Sequence, residues 1–303
     1  MSSRGETAIA ESVAAITATA ARDGRAAPGP ADVAAWSALD AEALASSLAA
    51  FLEALERGEI RAAWPEPSAP CGWRVETWVK EAILALFARS SNVEGSGDLA
   101  GRLPFRDRAA LVPSAVLPEG VRVVPGGSAL RRGAHLGRGV VVLPPSYVNV
   151  GAFVGEGTMI DSHVLVGSCA QIGRRVHLSA AAQIGGVLEP AGALPVIVED
   201  EAFVGGGVGI YEGVVVGAGA VLGAGVVLTR SSRVYDLVRE EILEASADRP
   251  LVIPPGAVVV PGSRPAAGAF ARAHGLALAT PVIVKRRDAS TDARTALAEV
   301  LRA

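Results

Sequence analysis

From Val124 the chain keeps a beat of six. Val124, Leu130, Leu136, Val142, Val148, Val154, Ile160, Val166, Ile172, Leu178 and Ile184 are all aliphatic. After a slip of two residues the beat resumes at Val198, Val204, Ile210, Val216, Leu222, Leu228 and Val234. The residue four after is mostly small, as at Ser128, Ala134, Ser146, Ala152, Thr158, Ala170, Ala182, Ala202, Ala220 and Ser232, with Val filling most of the others. The residue just after is often Gly, as at Gly137, Gly155, Gly167, Gly173, Gly185, Gly205, Gly217 and Gly223. A helix repeats at 3.6 and a half-buried strand at 2. A period of six fits a short strand plus a sharp corner, with the aliphatic and the small residue both turned inward. Three such units close a triangular coil, and stacked coils make a parallel β-helix. Frequent Gly suits corners that need unusual backbone angles or close approach.

The slip lies in GGVLEPAGALPVIVED, where Pro190 and Pro195 mark a loop over 186–197 protruding from a coil. A second break, charged and then Pro-rich, spans 237–251. Val252 and Val258 fall near the old beat, so a final coil is expected there. The β-helix is thus placed at 119–262. Before it, residues 1–118 read as a mostly helical domain, with Ala/Leu-rich helical spacing over 5–22, 30–57 and 74–90. After it, 263–303 reads as a small segment with a strand at 281–285 and a helix from Ser290. The fold class is mainly β, with an α-helical N-terminal domain.

Composition narrows the function. Only 4% of the 303 residues are aromatic while half are hydrophobic, so the interior is filled by Ala, Val, Leu and Ile. A net charge of −3 gives no electrostatic case for nucleic acid. Cys71 and Cys169 show no metal-type pairing and suggest a reducing compartment. His135, His163, His177 and His274 match no paired ligand spacing, so no metal is expected. The N-terminus carries Glu6 and Glu11 and no long apolar core, and no membrane-length apolar run follows. The simplest expectation is a soluble cytoplasmic protein without a membrane partner.

One polar triplet interrupts the aliphatic pattern: Asp161-Ser162-His163. Asp161 follows an inward Ile, so it faces outward at a corner. A corner carboxylate can simply satisfy a turn. It can also orient an attacking amine and help remove its proton. An imidazole is ordinarily suited to the same work, so His163 is a second candidate, or it fills a groove wall. Cys169 has no nearby basic pattern to activate it and reads as a buried or groove-lining thiol.

The block PPSYVNVGAFVGEGTMIDSHVLVGSCAQIGRRVHLSAAAQIGGVLEP resembles the tetrahydrodipicolinate N-succinyltransferase family of hexapeptide-repeat acyltransferases. VRVVPGGSALRRGAHLG, VYD at 234–236, PPGAVVVPG, PVIVKRRDA and the helix ETWVKEAILALFARSSN extend the likeness over roughly 70–303. The resemblance implies a left-handed β-helix, a homotrimer with sites between neighbouring β-helices, and a role in lysine and diaminopimelate biosynthesis. It implies transfer of succinyl from succinyl-CoA, a cosubstrate rather than a bound cofactor, to the amine of a 2-amino-dicarboxylate-type acceptor. Asp161 would contact the acceptor and take a catalytic part, with His163 a second candidate. Arg122 would grip an acceptor carboxylate, and Ser162 and Glu212 would line the acceptor site. Gly185 and Gly186 would let CoA approach the backbone, where a bare turn is the alternative. Lys285, with Arg286 and Arg287, would meet CoA phosphates, where a solvated charge run is the alternative.

Two departures stand out. The family typically has Asp-Thr-Trp where this chain has Asp161-Ser162-His163. It typically has Gly-Ala-Arg-Ser-Glu where this chain has Gly205-Gly206-Gly207-Val208-Gly209, so an Arg and a Glu are absent at Gly207 and Gly209. Two alternatives follow. One is a divergent paralogue that acylates another amino-acid amine, with acetyl-CoA among its donors, in secondary metabolism. The other is a non-catalytic β-helix scaffold.

Overall fold

The computed structural model describes residues 41–96, 104–113, 117–288 and 291. The helices expected over 5–22 and from Ser290 lie outside the described residues, apart from Thr291.

The beat of six builds three flat faces of parallel two-residue strands. The first face stacks Arg122–Val123, Val141–Val142, Met159–Ile160, His177–Leu178, Phe203–Val204 and Val221–Leu222. The second stacks Ala129–Leu130, Tyr147–Val148, Leu165–Val166, Gln183–Ile184, Gly209–Ile210 and Val227–Leu228. The third stacks His135–Leu136, Phe153–Val154, Gln171–Ile172, Ile197–Val198, Val215–Val216 and Val252–Ile253. Along the regular coils the second residue of each strand points inward. From Val142 to Leu228 every residue on the beat is 0% exposed. Burying each such side chain contributes roughly 1.5–3 kcal/mol, which a column of matched aliphatics repeats coil after coil.

The beat slips at both ends. Val123, not Val124, pairs with Val142 and packs on the core. In the last coil Ile253 and Val259 are fully buried at 0% exposure, one position beyond Val252 and Val258. The second break does not run as a plain loop. Val234–Asp236, just before it, and Glu241–Leu243, inside it, pair as a short antiparallel ribbon.

Glycine serves two separate purposes at the corners. The residue three after the inward aliphatic has a left-handed backbone, as at Gly157 with φ 69° and Gly207 with φ 64°. His163, Cys169, Arg175 and Ala181 hold the same position at φ 61°, 65°, 54° and 59° despite their side chains. The residue just after the aliphatic is glycine because coils approach closely there. A Cβ on Gly155 would lie 2.6 Å from the backbone of Gly173.

The N-terminal domain carries helices α1 (Ala41–Glu56) and α2 (Thr77–Arg89). It also carries two hairpins: β1 (Ala63–Pro65) with β2 (Trp73–Val75), and β3 (Asn92–Ser96) with β4 (Pro104–Arg108). Phe51, Leu52, Ile83 and Leu86 of the helices share one buried cluster with Val150 and Cys169 of the β-helix. On the third face, the Arg61 guanidinium lies 3.6 Å from the Phe153 ring centroid and donates to Gln171 Oε1 at 2.9 Å. Trp73 Nε1 donates to Glu199 at 2.9 Å. At the other end, strand Ala257–Pro265 leaves the last coil and continues past residue 262 into an antiparallel pairing with Ala277–Arg286. That hairpin contains the strand expected at 281–285. The buried Asp236 carboxylate anchors it through Arg286 at 2.6 Å.

Candidate functional site

Asp161, Ser162 and His163 turn the corner between the first and second faces. The Asp161 amide donates to Leu178 O at 2.9 Å, and its carbonyl accepts from Ser146 Oγ at 2.7 Å. Asp161 Oδ1 accepts the Ser162 amide at 2.7 Å, so one oxygen holds the turn. Among the described residues no hydrogen bond engages the other oxygen, which can receive a proton or orient an amine. Ser162 is half-buried and its carbonyl accepts from Ala181. His163 is exposed, with its amide tied to Pro145 O at 2.8 Å and its carbonyl to Gln183 Nε2 at 3.3 Å.

The departures fall on the same corner column. Successive coils stack His163, Ala181 and Gly207, joined by backbone bonds from Ala181 to Ser162 and from Gly207 to Ala180. Two coil steps at strand spacing put Gly207 about 10 Å from this triplet. Gly207 is exposed, and a Cβ there would meet nothing within 4 Å. Gly209 begins the adjoining strand of the second face and is buried, with the Tyr211 ring folded back over it.

At the other edge of the second face, a cavity of about 670 Å³ opens between two protruding segments. Gly185, Gly186, Tyr211, Glu212 and Arg230 line it from the coils. Glu189, Pro190, Ala193 and Leu194 wall it from the first loop, and Pro250 from the second. Glu212 Oε2 accepts the Arg230 amide at 3.0 Å. The Arg230 guanidinium donates to the carbonyls of Ser246 and Ala247 at 2.5 and 3.1 Å, which fastens the second segment.

The structure therefore gathers the sequence candidates into two groups. Asp161, Ser162 and His163 sit on one corner; Gly185, Gly186 and Glu212 share the cavity at the other. Arg122 is exposed on the first coil, on the outside of the first face. Lys285 lies on the C-terminal hairpin beside Val258, with Nζ 3.0 Å from Asp288. Within one chain neither reaches the cavity.

Two features escaped the sequence reading. Lys80 of α2 is fully buried and donates to the carbonyl of Ala193 in the cavity-walling loop. Burial pulls its ammonium down to about 8. The Tyr211 ring over Gly209 is the other. The residue beside Glu212 was the available signal, because the chain has only three tyrosines. Cys169 is inert by environment: it is 0% exposed, and burial pushes its thiol up to about 12. Among the described residues no group of three or more His, Cys, Asp or Glu could hold a metal ion. No described helix is long and apolar enough to cross a membrane.

Two family models match the chain. "Tetrahydrodipicolinate N-succinyltransferase N-terminal" covers residues 33–88, and "Hexapeptide repeat of succinyl-transferase" covers 195–230. A 2,3,4,5-tetrahydropyridine-2,6-dicarboxylate N-succinyltransferase of Idiomarina loihiensis is 42% identical over 83% of this chain and 86% of its own. One of Polynucleobacter asymbioticus is 44% identical over 85% and 89%. Among solved structures, a hexapeptide-repeat-containing acetyltransferase of Vibrio cholerae, complexed with acetyl coenzyme A, is 23% identical. It covers 42% of this chain and 66% of its own, with a TM-score of 0.31.

Proposed function

The chain belongs to the tetrahydrodipicolinate N-succinyltransferase family, and from that premise we propose that it is a CoA-dependent N-acyltransferase. It transfers succinyl from succinyl-CoA to the amine of a 2-amino-dicarboxylate-type acceptor. The observation that carries the reading is Asp161: a corner carboxylate with one oxygen spent on its own turn and the other open.

The reaction needs an unprotonated amine. Its nitrogen attacks the thioester carbon, a C–N bond forms, and the carbonyl oxygen becomes an oxyanion that donors near the glycine-rich corners can stabilise. Collapse breaks the C–S bond and releases CoA as thiolate, which takes up a proton. The proton lost from the amine passes to Asp161 or His163 and on to water. Arg122 would hold an acceptor carboxylate, with Ser162 and Glu212 lining the acceptor site. Gly185 and Gly186 would lie along the CoA arm, and Lys285 would meet its phosphates. Because Arg122 and Lys285 lie away from both groups within one chain, these roles go with a homotrimer whose left-handed β-helices complete each other's sites. Lysine biosynthesis in the cytoplasm would be the setting.

A second reading is favoured by Gly207 and Gly209, which leave these two positions without a cation or a second carboxylate beside Asp161. It keeps the chemistry and changes the acceptor to another amino-acid amine. The test is free-CoA release with succinyl-CoA and acetyl-CoA, each against tetrahydrodipicolinate, L-2-aminopimelate and a panel of amino acids. Fast release with succinyl-CoA and the first two acceptors supports the main reading. Silence there with turnover of another amine supports the second. Silence throughout contradicts both.

A further inference from the structure

A Cβ placed on Gly209 would lie 2.6 Å from Tyr211 Cε2 and 2.9 Å from its hydroxyl oxygen. A Cβ placed on Gly185 would lie 2.8 Å from Tyr211 Cδ1. Contacts that short do not occur between real atoms, so this ring position excludes a side chain at either residue. Neither glycine has a left-handed φ. At Gly209 the three nearest obstacles are all atoms of the ring; at Gly185 the ring is the nearest, with Ile210 O behind it at 3.2 Å.

The ring thus lies flat on the second face, spanning from Gly185 to Gly209. Its hydroxyl end points along the strand toward the corner that stacks Gly207 and His163. The hydroxyl makes no hydrogen bond among the described residues, while the ring lines the cavity. The outward positions of this face are Ala129, Tyr147, Leu165, Gln183, Gly209 and Val227, none of them charged. A substrate carboxylate laid on these positions would meet no cation of the face, and the Arg230 guanidinium in the cavity is already spent on the carbonyls of Ser246 and Ala247, so burying it here is costly. An uncharged amide or carbonyl would find a hydroxyl able to donate or accept.

We propose that Tyr211 is a substrate-binding residue that hydrogen-bonds an uncharged amide or carbonyl group, and that Gly185 and Gly209 are the bed that holds it in place. The inference rests on the N-acyltransferase reading. Two substrates can supply such a group: the pantetheine arm of the acyl-CoA, or the acceptor.

The test compares Tyr211→Phe, Gly209→Ala and the double variant Tyr211→Val with Gly209→Ala. KM for succinyl-CoA and KM for L-2-aminopimelate are measured separately, with kcat and the thermal midpoint alongside. Tyr211→Phe should raise one KM about tenfold, the order of one hydrogen bond, with kcat and the midpoint nearly unchanged. A rise confined to succinyl-CoA assigns the pantetheine arm; a rise confined to the acceptor assigns the acceptor. Gly209→Ala should raise the same KM by tilting the ring, and should cost nothing further once Tyr211 is Val. Two unchanged KM values in Tyr211→Phe overturn the proposal, as do additive effects in the double variant. If the wild type releases no CoA with any donor or acceptor, the N-acyltransferase reading fails and the proposal falls with it.

Discussion

The ammonium of Lys80 donates to the carbonyl of Ala193, 113 residues along the chain. One is on α2; the other is in the loop that walls the cavity. Leu188 of the same loop packs on the cluster formed by the two helices, and Leu194 packs beside Trp73. The N-terminal domain therefore braces the cavity wall at three points.

The Lys80 contact has a definite pH signature. Its folded pKa, about 8, lies below the unfolded value of 10.5. The folded state therefore binds fewer protons than the unfolded state between those values, and stability rises with pH across that window. The penalty is present in full below pH 8 and amounts to roughly 3 kcal/mol at about 1.4 kcal/mol per unit. Lys80→Met removes both the penalty and the bond to Ala193. Relative to wild type, the variant should lose about 3 kcal/mol between pH 7 and pH 10.5. Urea unfolding at the two pH values checks this; a constant difference contradicts it.

The two cysteines should respond differently to alkylation. Cys169 is buried with a raised thiol, so its thiolate is scarce at pH 8. Cys71 is half-buried, its Sγ 3.6 Å from Trp73 O. Iodoacetamide on native protein should label Cys71 and spare Cys169, with both labelled after denaturation. Peptide mass mapping decides; native labelling of Cys169 contradicts the packing.

His163 sits at a left-handed position that glycine fills on several other coils. His163→Gly should relieve about 1 kcal/mol of backbone strain and raise the thermal midpoint. If the imidazole serves the reaction, CoA release falls in the same variant. A higher midpoint with undiminished turnover would leave His163 as a wall residue only.

Much of this was legible in the sequence, for a physical reason. The inward position of each strand meets the same three-sided core on every coil, so the beat of six declares itself without tertiary knowledge. The ends were harder. Val123 displaced Val124, and Ile253 displaced Val252, because coils beside an excursion or a terminus need not keep six residues per side. The β-helix was placed as far as 262 because Val252 and Val258 fall near the beat, yet strand Ala257–Pro265 runs on past 262 in a hairpin with Ala277–Arg286. Asp161 was visible as a polar break in an apolar pattern. Tyr211 over Gly209 was not, because a ring lying back on a glycine leaves no periodic mark.

Amine acylation at the Asp161 corner is read out by succinyl-CoA-dependent CoA release with L-2-aminopimelate, comparing wild type with Asp161→Asn. The amide oxygen of Asn can still accept the Ser162 amide, so the corner should fold unchanged, while the proton acceptor is lost. In Asp161→Asn kcat should fall about 10²–10⁴-fold at an unchanged thermal midpoint. Equal turnover in the two proteins would contradict it.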